Sequence, residues 1–172
     1  MVTPIFTEEM TWRGYRFLME VFDNNDYSKL KDIQQVYGFL FNEKDEIVIF
    51  RKSPDSEWCL PGGTPEKCDK TWKGTLIREA EEEVDVEIED IKPAGYIKST
   101  ALDNNLQKFR VGIMLRAVAK VTKVKPQTID PATGILNERK FIRAKDFLKY
   151  CPWGANGKAQ LELAMRARDG KG

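Results

Sequence analysis

Histidine is missing from all 172 residues. Its absence excludes triads that need an imidazole base, histidine-ligated metals and haem, and leaves acid–base work to Asp, Glu, Lys, Tyr or Cys. Cysteine is scarce. Cys59, Cys68 and Cys151 cannot all pair within one chain and no CxxC spacing occurs, so neither a disulfide framework nor a zinc site is indicated. Free thiols in a reducing cytoplasm are the expectation. Long apolar runs are lacking as well. Stretches such as Ile47-Val48-Ile49-Phe50 fall far below the roughly 20 residues that span a bilayer. Glu8, Glu9, Arg13, Arg16 and Glu20 would interrupt the apolar core of a signal peptide. Nor does one sign of charge dominate: 28 Lys+Arg face 27 Asp+Glu, a net of +1, which gives no global case for a polyanion binder.

What remains is a foldable chain, 41% hydrophobic and 10% aromatic, of a length that suits one domain with residues 1–35 as an N-terminal extension. Tyr15 to Phe22 reads as a strand followed by an Asp/Asn turn. Val36–Phe41 and Ile47–Arg51 flank Asn42-Glu43-Lys44-Asp45 and predict a hairpin. Leu60-Pro61-Gly62-Gly63 breaks the pattern. From about Thr71, Leu76, Ile77, Ala80 and Val84 recur at helical spacing, with Asp69 or Thr71 as candidate N-cap. Gln107 to Val124 alternates as a long strand, Phe141-Ile142 suggests a short one, and a terminal helix is expected from about Asn156. Strands mixed with two main helices favour an α/β or α+β domain.

Eight of the thirteen residues from Arg78 to Asp90 are acidic. Like charges at helical spacing repel by roughly a few tenths of a kcal/mol per pair. A hard divalent cation relieves that repulsion, and oxygen donors suit Mg²⁺ or Mn²⁺. At about 100° per residue, Glu79, Glu82 and Glu83 share one helix face while Glu81 points elsewhere. Arg78, four residues before Glu82, is placed to orient that carboxylate. The Gly62-Gly63 turn lets backbone approach a metal or phosphate and offers a carbonyl. A Glu-rich helix alone is most often a solvated face. Joined to Gly-Gly, Arg-Glu and Glu-Glu, it suggests a cation platform for a pyrophosphate.

In that conjunction the segment resembles the Nudix box, Gly-x5-Glu-x7-Arg-Glu-U-x-Glu-Glu-x-Gly-U with U apolar. Gly63, Arg78, Glu79, Ala80, Glu82, Glu83 and Val86 match, and Trp58-Cys59-Leu60-Pro61-Gly62-Gly63 resembles the usual entry strand and turn. The resemblance implies a Nudix-type α/β/α sandwich with a mixed sheet and a catalytic helix near 71–84. It implies Glu82 and Glu83 as metal ligands with the Gly62 carbonyl nearby, Glu79 as ligand or base, and Arg78 as the residue orienting Glu79 and Glu82. Two positions depart from the consensus. The mid-box Glu falls on Asp69 or Lys70, because the gap to Arg78 is one residue too long, and the Gly after Glu-Glu is Asp85. An Asp69 carboxylate, being shorter, is expected to fall short of the site, whereas Asp tolerates the left-handed conformation that Gly would take.

The implied activity is Mg²⁺- or Mn²⁺-dependent hydrolysis of a pyrophosphate bond in a nucleoside diphosphate linked to another moiety. Two other classes stay open: a catalytically weak Nudix domain that senses a nucleotide, and an interaction module whose acid row takes basic partners. Beyond the box, Glu138 is the candidate for a further metal-side acid, with Asp103 and Asp130 as competitors. Arg110 and Arg116 share a strand face that offers them phosphates or, by default, solvent. Tyr96, Phe141 and Trp153 are candidates for base stacking, with core packing the commoner fate. Residues 139–172 hold nine Lys/Arg against three acids, which would suit a polyphosphate or RNA 5′ end if it were not simply a solvated helix face. A homodimer through the N-terminal segment is compatible with the sequence.

Overall fold

Residues 2–103 and 111–170 are described by a computed structural model. Among them, eight strands form one mixed sheet: β1 (Phe6–Trp12), β2 (Tyr15–Phe22), β3 (Ile33–Phe41), β4 (Glu46–Arg51), β5 (Gly62–Gly63), β6 (Val86–Ala101), β7 (Val111–Val124) and β8 (Glu138–Arg143). Helices α1 (Trp72–Val84), α2 (Phe147–Tyr150) and α3 (Gly154–Arg168) complete the chain. The strand order is β1-β2-β6-β7-β3-β4-β8, with β5 on β3. Only the β3–β7 pairing is parallel among the described strands. No described helix is long and apolar enough to cross a membrane.

The expected hairpin forms around Asn42, whose Oδ1 accepts the Lys44 and Glu46 N–H groups at 2.9 Å each. Its two strands then separate. β3 and β4 pair at Phe41–Ile47 alone; farther along, β3 takes β5 (Val36 with Gly63, Tyr37 with Gly62) while β4 takes β8. Helix α1 packs against both arms of this fork. Leu76, Ala80 and Val84 share a buried cluster with Val36 and Leu40 of β3, Val48 and Phe50 of β4, and Leu115, Ala117 and Ala119 of β7. The opposite sheet face carries Phe39, Phe41 and Val118 against Phe147 of α2 and Ala164 and Ala167 of α3. Two helical layers around a mixed sheet make the α/β/α sandwich, because β3 and β7 are apolar on both faces and need cover on each.

The N-terminal strands belong to the sheet: β1 and β2 form a hairpin, β2 pairs with β6, and Val21 is buried with Ile97 and Leu163. The 16-residue β6 has no counterpart in the sequence-based expectations, which counted Glu87, Glu89 and Asp90 only as part of an acidic segment. Those acids sit on the strand, where register shifts between Glu87 and Lys92 and a left-handed Asp90 (φ 53°) break the alternation that would have announced it.

Candidate active site

Thr71, in extended conformation, accepts the Gly74 N–H at 3.1 Å and starts α1; Asp69 does not cap it. The helix ends at Asp85, left-handed at φ 48°, the conformation for which the box consensus carries glycine. Between these caps the apolar stripe anchors the helix, leaving its acidic face toward β5. Glu83 is 9% exposed, and its Oε2 accepts the Gly62 N–H at 2.9 Å. Gly62 has φ 147°, and a side chain there would strike the Val36 carbonyl and the Tyr37 backbone. At Gly63 a Cβ would run into the Glu79 carboxylate. Both glycines are therefore required by close approach: backbone and carboxylates touch with no room for a side chain.

Arg78 gathers the remaining acids. Its Nη1 donates to Glu79 Oε1 at 2.9 Å and Glu82 Oε2 at 3.0 Å, and its Nη2 to the Thr64 carbonyl at 3.1 Å. Asp69 takes the guanidinium with both oxygens, at 3.2 Å to Nε and 3.0 Å to Nη2. Though shorter than the consensus Glu, Asp69 thus reaches the guanidinium. The extra residue between Gly63 and Arg78 lets the chain turn inward, with the Glu66 N–H donating to Asp69 Oδ2 at 2.9 Å, and brings a shorter carboxylate to the same guanidinium. Lys70, the alternative alignment, forms no ion pair among the described residues. Glu81 faces away, as its helical angle requires, and pairs with Lys125 at 2.8 Å.

Burial pushes the Glu83 carboxyl up to about 8, opposed by the Gly62 N–H and the Lys52 charge and reinforced by Glu79 and Asp130. Glu79 is raised by burial too, against the pull of Arg78, with Glu82 and Asp130 adding to the rise. The hydrogen bond from Arg78 holds Asp69 below the usual carboxylate range. Glu83 is thus held by the Gly62 N–H and Glu79 by Arg78, and for both burial disfavours the charged form.

The acids outside the box are placed apart. Glu138, the leading candidate, is bound by Arg51 at 2.6 Å at the edge of β4 and β8, with that guanidinium also 4.7 Å from the Trp58 ring centre. Asp103 accepts the Arg16 N–H at 2.6 Å on the β2 side of the sheet. Asp130 is 2% exposed, and its charge is felt at both Glu79 and Glu83. It opens the turn Asp130-Pro131-Ala132-Thr133-Gly134, where its Oδ1 accepts the Ala132 N–H at 2.8 Å.

Arg116 corrects the default of a solvent-facing residue. It is 5% exposed, its Nε donates to Gln160 Oε1 at 2.6 Å, its guanidinium lies 5.0 Å from the Tyr37 ring centre, and burial pulls its pKa down to about 10. Arg110 lies outside the described residues. Tyr96 stacks on Phe22 at 4.8 Å, Trp153 meets Phe147 edge-on at 5.4 Å, and Phe141 packs on the α1 core, so all three serve packing. Four of the nine basic residues of the C-terminal region are paired with acids: Arg143–Asp146, Lys158–Glu162, Arg166–Asp23 and Arg168–Asp45. Cys59 and Cys151 are buried enough to push their thiols up to about 12, and all three cysteines are free.

Among the described residues, no three acids or cysteines stand close enough together to surround an ion. The donor set nevertheless fits a hard divalent cation. Only oxygens are offered, two of the carboxylates sit where ionisation is disfavoured without a positive partner, and Arg78 occupies one oxygen each of Glu79 and Glu82, leaving the other free.

The NUDIX domain family model matches residues 32–156. Among solved structures, a variant of the Bacillus subtilis pyrophosphohydrolase BsRppH aligns with a TM-score of 0.66 over 91% of this chain and 94% of that chain, at 14% identity. The Nudix domain of Shewanella oneidensis NrtR, complexed with ADP ribose, aligns at 0.57 over 86% and 93%, with 18% identity. An ADP-ribose pyrophosphatase from Streptococcus suis aligns at 0.54 over 80% and 92%, with 21% identity. At these identities the structural likenesses show a shared fold. No curated protein matches the chain.

Proposed function

The chain belongs to the Nudix family of pyrophosphate hydrolases, and from that premise we propose that it cleaves the pyrophosphate bond of a nucleoside diphosphate joined to another moiety, with Mg²⁺ or Mn²⁺ held at the meeting of α1 and β5. The observation that carries this reading is the placing of the α1 acids against the glycine turn: Glu79 and Glu82 are held by Arg78, Glu83 by the Gly62 N–H, and Gly63 lies against the Glu79 carboxylate. A bound divalent ion supplies an activated water and neutralises charge building on the bridging oxygens. Glu82 and Glu83 would hold the ion, and the glycine turn keeps side chains out of the substrate's path. Glu79, its carboxyl raised by burial, would serve as the base, with one oxygen held by Arg78 and the other available to accept a proton. Arg78 and Asp69 fix the directions of Glu79 and Glu82. Asp130 is the further acid in place of Glu138, which Arg51 engages.

Purified protein with Mg²⁺ or Mn²⁺ and a panel of nucleoside triphosphates, nucleotide sugars, dinucleoside polyphosphates, ADP-ribose and capped RNA tests the proposal. Metal-dependent release of a nucleoside monophosphate or its phosphate partner is the expected result. ADP-ribose has a place in the panel because one solved Nudix domain of this fold is complexed with it and another is an ADP-ribose pyrophosphatase. The second reading, a nucleotide sensor, is favoured by Arg78 engaging Glu79, Glu82 and Asp69 at once. Saturable binding without product would select it.

A further inference from the structure

Asp85 stands where the box consensus has glycine, and its side chain has work beyond tolerating a left-handed turn. The residue is 5% exposed. Its Oδ1 accepts the Thr128 hydroxyl at 2.6 Å and its Oδ2 the Thr128 N–H at 3.0 Å. Its carbonyl accepts the Lys125 N–H at 2.9 Å. The same helix end receives two more side chains from the far end of this segment. Arg139 Nη1 donates to the carbonyls of Val84 at 2.7 Å, Asp85 at 3.3 Å and Lys125 at 3.1 Å, and Asn137 Nδ2 donates to the Glu83 carbonyl at 3.1 Å. Glycine at 85 would keep the helix terminus and every main-chain bond, and would lose both bonds from the carboxylate.

The segment so attached carries Asp130. Thr128 and Asp130 are separated by one residue, at most about 7 Å of extended chain, so fixing one confines the other. Asp130 is buried, its turn closed by the Asp130 N–H to the Ile135 carbonyl and the Gly134 N–H to its own carbonyl, at 2.9 and 2.8 Å. The turn is thus a small rigid unit whose placement depends on its attachment to α1.

We propose that Asp85 is a positioning residue whose carboxylate, through Thr128, ties residues 125–137 to the C-terminal end of α1 and so holds the Asp130 turn against the helix that carries Glu79 and Glu83. The inference rests on the reading of that acid cluster as a metal site. It reverses the simplest reading of the departure from consensus: in this chain the consensus glycine would impair the site, although it suits the backbone.

Mn²⁺ binding to the full chain is measured by calorimetry for the native protein, Asp85→Gly, Thr128→Val, Thr128→Ser, Asp130→Asn and the Asp85→Gly/Asp130→Asn double variant. Hydrogen exchange of the residue 126–135 amides is followed in metal-free protein. Asp85→Gly is expected to keep its melting temperature within a few degrees, to weaken Mn²⁺ affinity about tenfold or more, and to speed amide exchange in the segment. Thr128→Val should weaken affinity in the same direction, with Thr128→Ser restoring it. Asp130→Asn should cost no more in the Asp85→Gly background than a residual twofold, since a displaced carboxylate has little left to lose. Native affinity in Asp85→Gly, or additive losses in the double variant, would overturn the proposal. A native protein that binds Mn²⁺ but turns over no substrate would overturn the proposed hydrolysis and leave the positioning role standing. One that binds no Mn²⁺ would remove the metal site, and unchanged exchange in Asp85→Gly would then remove the tether as well.

Discussion

Glu83 concentrates the conflict on which the site depends. Its side chain is buried and bound by the Gly62 N–H, and burial lifts its pKa to about 8. In the unfolded chain it would titrate near 4.3. Between those values the folded protein holds a proton that the unfolded chain has lost, so stability falls as pH rises through that window and levels off above it. Melts in chelator from pH 4 to 9 are expected to show this decline, with Glu79 contributing in the same direction, and Mg²⁺ should recover the loss at the alkaline end. Glu83→Gln removes the ionisation. It should flatten the pH dependence in chelator while reducing turnover by about a hundredfold or more. A variant that keeps both the slope and the activity would remove Glu83 from the site. At this scale the sequence was informative: Glu79, Glu82 and Glu83 followed from helical angle, and Gly62 and Gly63 from the turn.

Helix α1 shows how an element turns spacing into a site. Its stripe of Leu76, Ala80 and Val84 is gripped by β3, β4 and β7, which fixes the rotation of the acidic face. Asp69 belongs to this element by contact, although it precedes the N-cap. Its two bonds to Arg78 leave a side chain only 5% exposed. Asp69→Asn keeps the shape and removes the charge that steadies the guanidinium. It is expected to lower turnover by about tenfold to a hundredfold with only a small change in melting temperature. Steady-state kinetics beside a thermal melt check both, and unchanged turnover would reduce Asp69 to a surface ion pair. No sequence spacing could supply this contact, because the mid-box position is out of register by one residue and only the folded loop shows that Asp69 reaches Arg78. Strand β6 was hidden for a different reason: its acids and its bulge mask the period-two alternation of a strand.

For the molecule as a whole, the N-terminal hairpin has a stabilising role that lies outside the family match, which begins at residue 32. Val21 and Phe22 are buried, and β2 covers the edge of β6. Deleting residues 2–12 removes an edge strand whose side chains are mostly exposed and should cost little. Deleting residues 2–22 strips two core side chains, each worth about 1.5–3 kcal/mol of burial, and uncovers β6. The shorter deletion is expected to melt within a few degrees of the native chain and the longer one to be strongly destabilised or insoluble. Equal melting temperatures for both would make the hairpin an appendage.

Composition and periodicity by themselves determined a domain of mixed helices and strands, the β3–β4 hairpin, the start of α1 and the three glutamates on one of its faces, because each depends on residues within a few turns or one strand pair; the α/β/α sandwich came from the resemblance to the Nudix box. Tertiary structure decided which distant groups complete the site: Arg51 drawing Glu138 away, Gln160 and Tyr37 enclosing Arg116, and the carboxylate of Asp85 reaching Thr128. Contacts between residues far apart in the chain are set by how β3 and β4 part around α1 and by how the segment after β7 folds back on that helix. Neither leaves a local period to read.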